Sequence, residues 1–354
     1  MGLPRELDKC KKSCVDIALI ILNGPDFSYN EIKKFGDQQN GMVTQCVKNS
    51  TLSRQGVVDN LWLKINGKLG GVNWEPDVLV KESNKNSIMV VGADVTHMAS
   101  GFGGDKKSVA AVVASYTPNM MRYKCEVTAQ PMHERGTKVV RETIECMKEI
   151  MVRMLKNFFL QNGSRFPEKI IMYRDGVSEG QFMNVLVKEL DGIQKACLEL
   201  CITSLPKITY IVVVKRHLVR LMAPDAGAGD RNKNLLPGTV VDTDIVHPRD
   251  FEFFLCSHQS IQGTAKAARY YVLYDDNNFC SNDLQILSYA LCFAYMRCSR
   301  SVSIPAPTYY AHLAAARARE WMKAREGELM EKGAGGEANF FQIHEIQQNA
   351  MFFL

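Results

Sequence analysis

A chain of 354 residues is long enough to bury one large core or two modest ones. Its 46% hydrophobic and 23% charged residues are those of an ordinary globular protein, and a net charge of +5 (43 basic against 38 acidic) hints at an anionic partner without requiring one. No run approaches the roughly 18 apolar residues of a membrane span, and the opening Met-Gly-Leu-Pro-Arg-Glu-Leu-Asp-Lys lacks the apolar core of a signal peptide, so no membrane partner is expected.

Residues 15–22 read as a buried strand closed by Asn23-Gly24-Pro25. A helix follows through 29–35, then the segment 42–47, and a second helix near 57–69 stopped by Gly70-Gly71. This small unit has βα character but only one convincing strand before its helices, as if the chain began inside a domain. From residue 88 three strand-like runs, 88–94, 108–116 and 122–129, come close together and imply an antiparallel meander. An amphipathic helix is predicted over 138–161, with Val139, Val140, Ile144, Met147, Ile150, Met151, Met154, Leu155 and Phe158 on its apolar side. Strand 168–174 precedes Ser178-Glu-Gly-Gln181, whose spacing is that of a capping box opening a helix to about 201. Strand 208–214, a Gly-rich loop over 223–238, strands 251–255 and 270–274, and helices near 282–298 and 308–325 complete the layout. Residues 327–338 read as a flexible tail before the apolar end Met351-Phe-Phe-Leu354. The whole is an α/β arrangement around a mixed sheet.

Eleven cysteines, an odd number without a CxxC pair, fit neither a disulfide framework nor a zinc ribbon. Cys10/Cys14 and Cys197/Cys201 share helical faces but have no histidine nearby. Reduced cysteines acting as small apolar residues are the expectation, in a cytoplasmic protein.

The most informative feature is a pair of apolar strands that each end on an aspartate, Asp94 and Asp175. A carboxylate there is costly unless it meets a cation. Two that converge suggest a divalent-metal site and phosphodiester chemistry. Taken singly, each would read as a turn or capping aspartate. His97 reads as a turn-stabilising residue.

At Gly92-Ala-Asp94-Val-Thr-His97, Tyr173-Arg-Asp175-Gly-Val-Ser-Glu-Gly-Gln-Phe182 and Tyr309-Tyr-Ala-His312-Leu the chain resembles eukaryotic Argonaute proteins, particularly those of arthropod type. Lys215-Arg-His217, Gly238-Thr-Val-Val-Asp242, Ser257-His-Gln-Ser-Ile-Gln-Gly263-Thr and Arg300-Ser-Val-Ser-Ile-Pro-Ala-Pro307 extend the likeness, which runs from about residue 15 to 325. The resemblance implies a ribonuclease H-like Piwi domain over 76–354, preceded over 1–75 by the C-terminal part of a Rossmann-like Mid domain, with no counterpart of the family's N-terminal and PAZ domains. It implies that Asp94, Asp175 and His312 hold Mg2+ (or Mn2+) and cut a target RNA paired to a small guide RNA. Two hard oxygen donors suit magnesium.

The family's fourth residue is a glutamate on a finger between the third strand and the long helix. Anchoring on the following helix puts Lys138 or Val139 there, and an ammonium could not ligate a metal. Glu134 precedes a glycine turn and reaches the site only if the loop re-registers; it is the candidate carried forward. Glu142 falls one helical turn later and reads as a solvated face residue.

The same resemblance implies that Tyr29, Lys33, Gln45, Cys46, Lys64 and Lys68, with Arg297 and Arg317, grip the guide's 5′-phosphate. The spacing agrees, since Tyr29/Lys33 and Lys64/Lys68 are i,i+4 pairs sharing helical faces, although a Lys-x-x-x-Lys pair alone is ordinarily a solvated surface. Lys215, Arg216, Arg220 and Arg269 are further candidate backbone contacts. A Trp-containing scaffold protein of the silencing complex is an implied partner. Slicing of RNA, guide binding without cutting, and a short isoform that competes for guides all stay open.

Overall fold

The computed structural model describes residues 2–23, 29–97, 107–134, 136–225, 227–324 and 339–354. Helix α1 (Leu3–Lys12) leads to β1 (Ile17–Leu22), α2 (Tyr29–Lys34), a π-helical turn (Phe35–Asn40), β2 (Val43–Lys48), α3 (Asn49–Leu52) and α4 (Val57–Lys68). β1 and β2 pair in parallel, Ile17 opposite Val43, and with no other described strand. The segment 42–47 is therefore a second strand. Gly41, at φ +80°, breaks the helical turn before it.

Helix α5 (Asp77–Lys85) enters the larger unit, followed by β3 (Ile88–His97), β4 (Lys107–Ser115), β5 (Tyr123–Pro131), α6 (Met147–Gln161), β6 (Lys169–Asp175), α7 (Phe182–Glu199), β7 (Lys207–Val214), β8 (Thr239–Val241), β9 (Glu252–Cys256), β10 (Ala268–Asp275), α8 (Ser281–Phe293), α9 (Ala306–Lys323) and β11 (Asn339–Phe340). They build one sheet in the order β11–β5–β4–β3–β6–β7–β10–β9–β8. The expected meander is β3–β4–β5, antiparallel throughout. β6 runs parallel to β3 on one side and to β7 on the other. Those three strands are apolar along nearly their whole length because helices cover both faces. Ile88 and Val90 point toward α8 and α9, while Met89, Val91 and Ala93 point toward α6 and α7.

Helix α9 lies close to the sheet because both surfaces are small. Ala311, Ala314, Ala315 and Ala318 are fully buried. A methyl group on Gly92 would fall 2.2 Å from the Pro307 carbonyl. Behind α9 the chain end packs inward, with Trp321 on Phe352 (ring centroids 5.5 Å apart) and Tyr310 on Phe353 (5.5 Å).

The long helix expected over 138–161 begins only at Met147. The preceding residues form a hairpin-like excursion: Arg141 donates from its amide to Met132 O (2.8 Å), Glu134 to Val139 O (3.0 Å), and Gly136 turns at φ +75°. Val139, assigned by periodicity to the apolar face, is 52% exposed. The β-branched run Val139-Val140 suits this extended backbone better than a helix. Nor does the Ser178/Gln181 capping box form: Gln181 N bonds the Ser178 carbonyl in a short 3₁₀ turn (Glu179–Gln181), and α7 starts after it. The helix expected to 298 stops at Phe293. The tail predicted over 327–338 and most of the Asn23–Pro25 turn lie outside the described residues.

Candidate functional site

Parallel pairing of β3 and β6, with Ala93 opposite Arg174, brings Asp94 beside Asp175; Asp175 ends β6, whereas β3 runs three residues past Asp94 to His97, pairing there with β4. Asp94 is 5% exposed, and its Oδ1 lies 3.6 Å from the Cβ position of Gly176, a residue that turns at φ +79°. His312, in the second turn of α9, places Nδ1 3.1 Å from Asp94 Oδ2. That hydrogen bond holds the imidazole above its usual range. Burial, and then the neighbouring Asp94 charge, push the Asp175 carboxyl up to about 6. The three residues expected from the sequence are thus neighbours.

The chemistry of this set fits a divalent cation. Two carboxylates crowd each other in a partly desolvated place, the situation a cation relieves, and an imidazole stands beside them. Among the described residues, however, no three His, Cys, Asp or Glu side chains already form a ligand cluster. The His312 imidazole is 58% exposed, so the set can be reached from solvent on that side.

The three acidic or basic candidates of the adjoining segment go to different places. Glu134 approaches Lys188 on α7 (3.8 Å). Lys138 is exposed. Glu142 is not the solvated helix residue expected: it lies before the helix, its side chain 16% exposed, and its Oε1 is 2.9 Å from His97 Nε2. A carboxylate only accepts, so His97 donates from Nε2, and its Nδ1 lies 2.8 Å from the Ser108 hydroxyl. His97 therefore does more than stabilise a turn. It ties Glu142 to the strand that carries Asp94.

The second cluster lies where α2, β2, α4 and α9 meet. Lys33 donates to the Thr44 carbonyl and hydroxyl (both 2.8 Å); Lys68 donates to Thr44 O (3.0 Å) and Gln45 Oε1 (2.8 Å). Arg317, from α9, donates to Asp37 Oδ2 (2.7 Å) and Phe352 O (2.9 Å), with its other nitrogen 3.5 Å from the Tyr29 hydroxyl. The Lys33 ammonium sits 5.7 Å from the Tyr29 ring centre, and that ring is 39% exposed. Cys46 is close enough to act on the charges of Lys33, Lys68 and Arg317. Three buried cations here share one buried carboxylate, Asp37. The strain shows in the lysines. Burial, then Arg317, lowers Lys33 to about 8, and burial lowers Lys68 well below its usual range. Lys64, beside Arg297, is lowered to about 8 by burial and that neighbour. Of the eight expected residues, Tyr29, Lys33, Gln45, Cys46, Lys68 and Arg317 meet in this cluster, while Lys64 and Arg297 neighbour each other.

Sequence reasoning missed Asp37, which also accepts from Trp321 Nε1 (3.1 Å), Thr44, and the chain end that supplies Phe352 O. A lone Asp after a glycine carries no pattern, whereas the apolar Met351–Leu354 end was visible. Of the further basic candidates, Lys215 donates to Ser303 Oγ (2.5 Å) and lies near enough to Asp175 to feel its charge. Arg220 is folded back on the His217 and Val219 carbonyls. Arg269 is held by Glu179 and Glu252, so it is not an unpaired cation. Arg216 is exposed. All eleven cysteines are unpaired, and no described helix is long and apolar enough to cross a membrane.

The Piwi domain family matches residues 16–323. The C-terminal lobe of a budding yeast Argonaute superposes with a TM-score of 0.87 at 28% identity, covering 99% of this chain and 72% of that one. Kluyveromyces polysporus Argonaute, solved with a guide RNA, gives 0.84 at 27% identity, covering 99% and 43%. Drosophila Piwi, at 22% identity and 0.74, covering 99% and 44%, shares the fold. The chain thus spans less than half the length of the last two. With a match that runs through both the small sheet and the large one, the chain belongs to the Piwi-domain family and has the ribonuclease H-like fold of an Argonaute C-terminal lobe.

Proposed function

We propose that the protein binds the 5′-phosphate of a guide RNA at Tyr29, Lys33, Gln45, Cys46, Lys64, Lys68, Arg297 and Arg317, and cleaves target RNA paired to that guide at Asp94, Asp175 and His312. The division at about residue 75 into a Mid-type portion and a Piwi domain is part of this reading; its support is that, among the described strands, β1 and β2 pair only with each other. One observation carries the phosphate assignment. Three buried cations against a single carboxylate leave an excess positive charge inside the protein, a costly state that a phosphate dianion would neutralise. The unpaired cysteines favour a reducing, cytoplasmic setting.

At the other site Asp94, Asp175 and His312 would hold Mg2+ or Mn2+. Bound there, the metal would supply Lewis-acid polarisation of the phosphodiester and activation of water. Asp94 and Asp175 fix the donor direction through their strands, and His312 is oriented by Asp94. For the fourth group the reading shifts from Glu134 to Glu142, because His97 holds Glu142 to the Asp94 strand while Glu134 faces Lys188. Base pairing would choose the target, with protein contacts to the backbone and 2′-hydroxyls.

The test loads a 5′-phosphorylated guide and offers a matched labelled target with magnesium. Cleavage opposite the middle of the guide is expected, lost in Asp175→Asn and in Glu142→Gln but kept in Glu134→Gln. A second reading, guide binding without cutting, draws on the absence of a closed ligand cluster among the described residues. Tight phosphate-dependent guide binding with no cleavage would establish it.

A further inference from the structure

Beneath the carboxylates lies a charged network that no step above uses. Arg174, between the two β6 neighbours Tyr173 and Asp175, and Glu189, on α7, are both fully buried. Arg174 Nε is 3.3 Å from Glu189 Oε1; Tyr210 on β7 donates to Glu189 Oε2 at 2.6 Å, and the Ile144 amide donates to Oε1 at 3.0 Å. The two remaining guanidinium nitrogens reach different segments. Nη1 donates to the Asp175 carbonyl and Nη2 to the Glu142 carbonyl. One rigid, planar group thus fastens the backbone of a metal-type aspartate on the sheet and the backbone of the glutamate at the foot of the hairpin.

We propose that Arg174 is the positioning residue that sets the separation of Asp175 and Glu142, with Glu189 and Tyr210 fixing its orientation. The geometry favours this over a purely structural ion pair for two reasons. A pair kept for stability alone would be matched by apolar side chains of the same volume. Only a guanidinium, with donors in a fixed fork, reaches both carbonyls and Glu189 at once; a lysine could keep the charge pair but not span the two carbonyls. Glu142 has no regular secondary structure of its own, since it sits between the hairpin and the start of α6. Its backbone is held by this tether and the His97 contact, and on its flanks by Arg141 N on Met132 O (2.8 Å), Gln130 Nε2 on Thr143 O (2.8 Å) and Ile144 N on Glu189 (3.0 Å).

The inference rests on the proposed metal site, so the test separates the two. Arg174→Lys retains a cation for Glu189, and Arg174→Met with Glu189→Gln removes both charges while keeping an acceptor for Tyr210 and Ile144. Each is compared with wild type for guided cleavage, for Mn2+ binding to the guide-free protein by electron paramagnetic resonance, and for guide affinity. Expected for both variants are a fall in kcat and a rise in the Mn2+ dissociation constant of about 10–100-fold, with KM for target and guide affinity unchanged. A folding defect would instead lower guide affinity as well. Wild-type kcat and Mn2+ affinity in Arg174→Lys would overturn the positioning role. If wild type neither cuts nor binds Mn2+ in a way abolished by Asp175→Asn, the site reading fails first and the inference with it.

Discussion

Five residues apart on α9, His312 and Arg317 serve two clusters of opposite charge. The Arg317 cluster is closed: Lys33 and Lys68 are 1% and 3% exposed, their ammonium groups already fixed on Thr44 and Gln45. The His312 cluster is open at the imidazole, which is 58% exposed, while Asp94 is buried within β3 and Asp175 closes β6. On the proposed reading the first suits an anion that stays, since Lys33, Lys68 and Arg317 are held before the ligand arrives. On the same reading the second suits a bond that must enter, react and leave. The carboxylate proposed as its fourth group, Glu142, comes from a hairpin foot rather than from a strand or helix.

The largest effect should come from discharging the closed cluster. Replacing Lys33 and Lys68 together by Met should weaken a 5′-phosphorylated guide by at least about 100-fold, two charge-assisted hydrogen bonds being worth roughly 3 kcal/mol or more. A 5′-hydroxyl guide should be little affected. Equal losses for both guides in a filter-binding titration would mean that the lysines support the fold, and the contrast between the clusters would collapse.

A smaller effect is expected from pH. In the free protein Lys33 and Lys64 titrate near 8, and a bound dianion raises them. The protonated form is the one that binds, so affinity is complete below pH 8 and falls as pH climbs through 8 toward the bound values. Between pH 7 and 9 each of these two lysines should cost the phosphorylated guide up to about tenfold in affinity. A flat profile would show that the lysines are already relieved of their burial penalty.

The smallest concerns the open cluster without metal. Asp175 carries an ionised carboxylate whose burial and neighbour Asp94 oppose its charge. Asp175→Asn removes that cost, so in EDTA the variant should melt a few degrees higher, about 2–5 °C, while cleavage disappears. An unchanged or lower melting temperature would show that the carboxylates are not in conflict, and that only the closed cluster stores electrostatic strain.

Much of this was legible in the residues. Apolar runs with β-branched residues marked β3, β6 and β7, and the short gaps after β3 marked the meander. The Lys-x-x-x-Lys spacing put side chains on common faces. The hairpin escaped because Val139, Val140, Ile144 and Met147 also fit a helical period, and nothing local states that the helix waits until Met147. Glu142 was misread for the same reason: continuing the helix backwards points it to solvent, whereas the real backbone turns it to His97.

The sequence by itself determined the central strands, the two aspartates at or near their ends and the cations available for a phosphate, because these follow from local patterns of apolar and charged residues. The tertiary structure alone decided which charges meet. Asp37 is matched to Arg317 across 280 positions, Asp94 to His312 across 218, and Glu142 to His97 across 45. Such pairings depend on how α9 and the hairpin dock on the sheet, and docking is set by the shape and packing of distant surfaces, which no local pattern encodes.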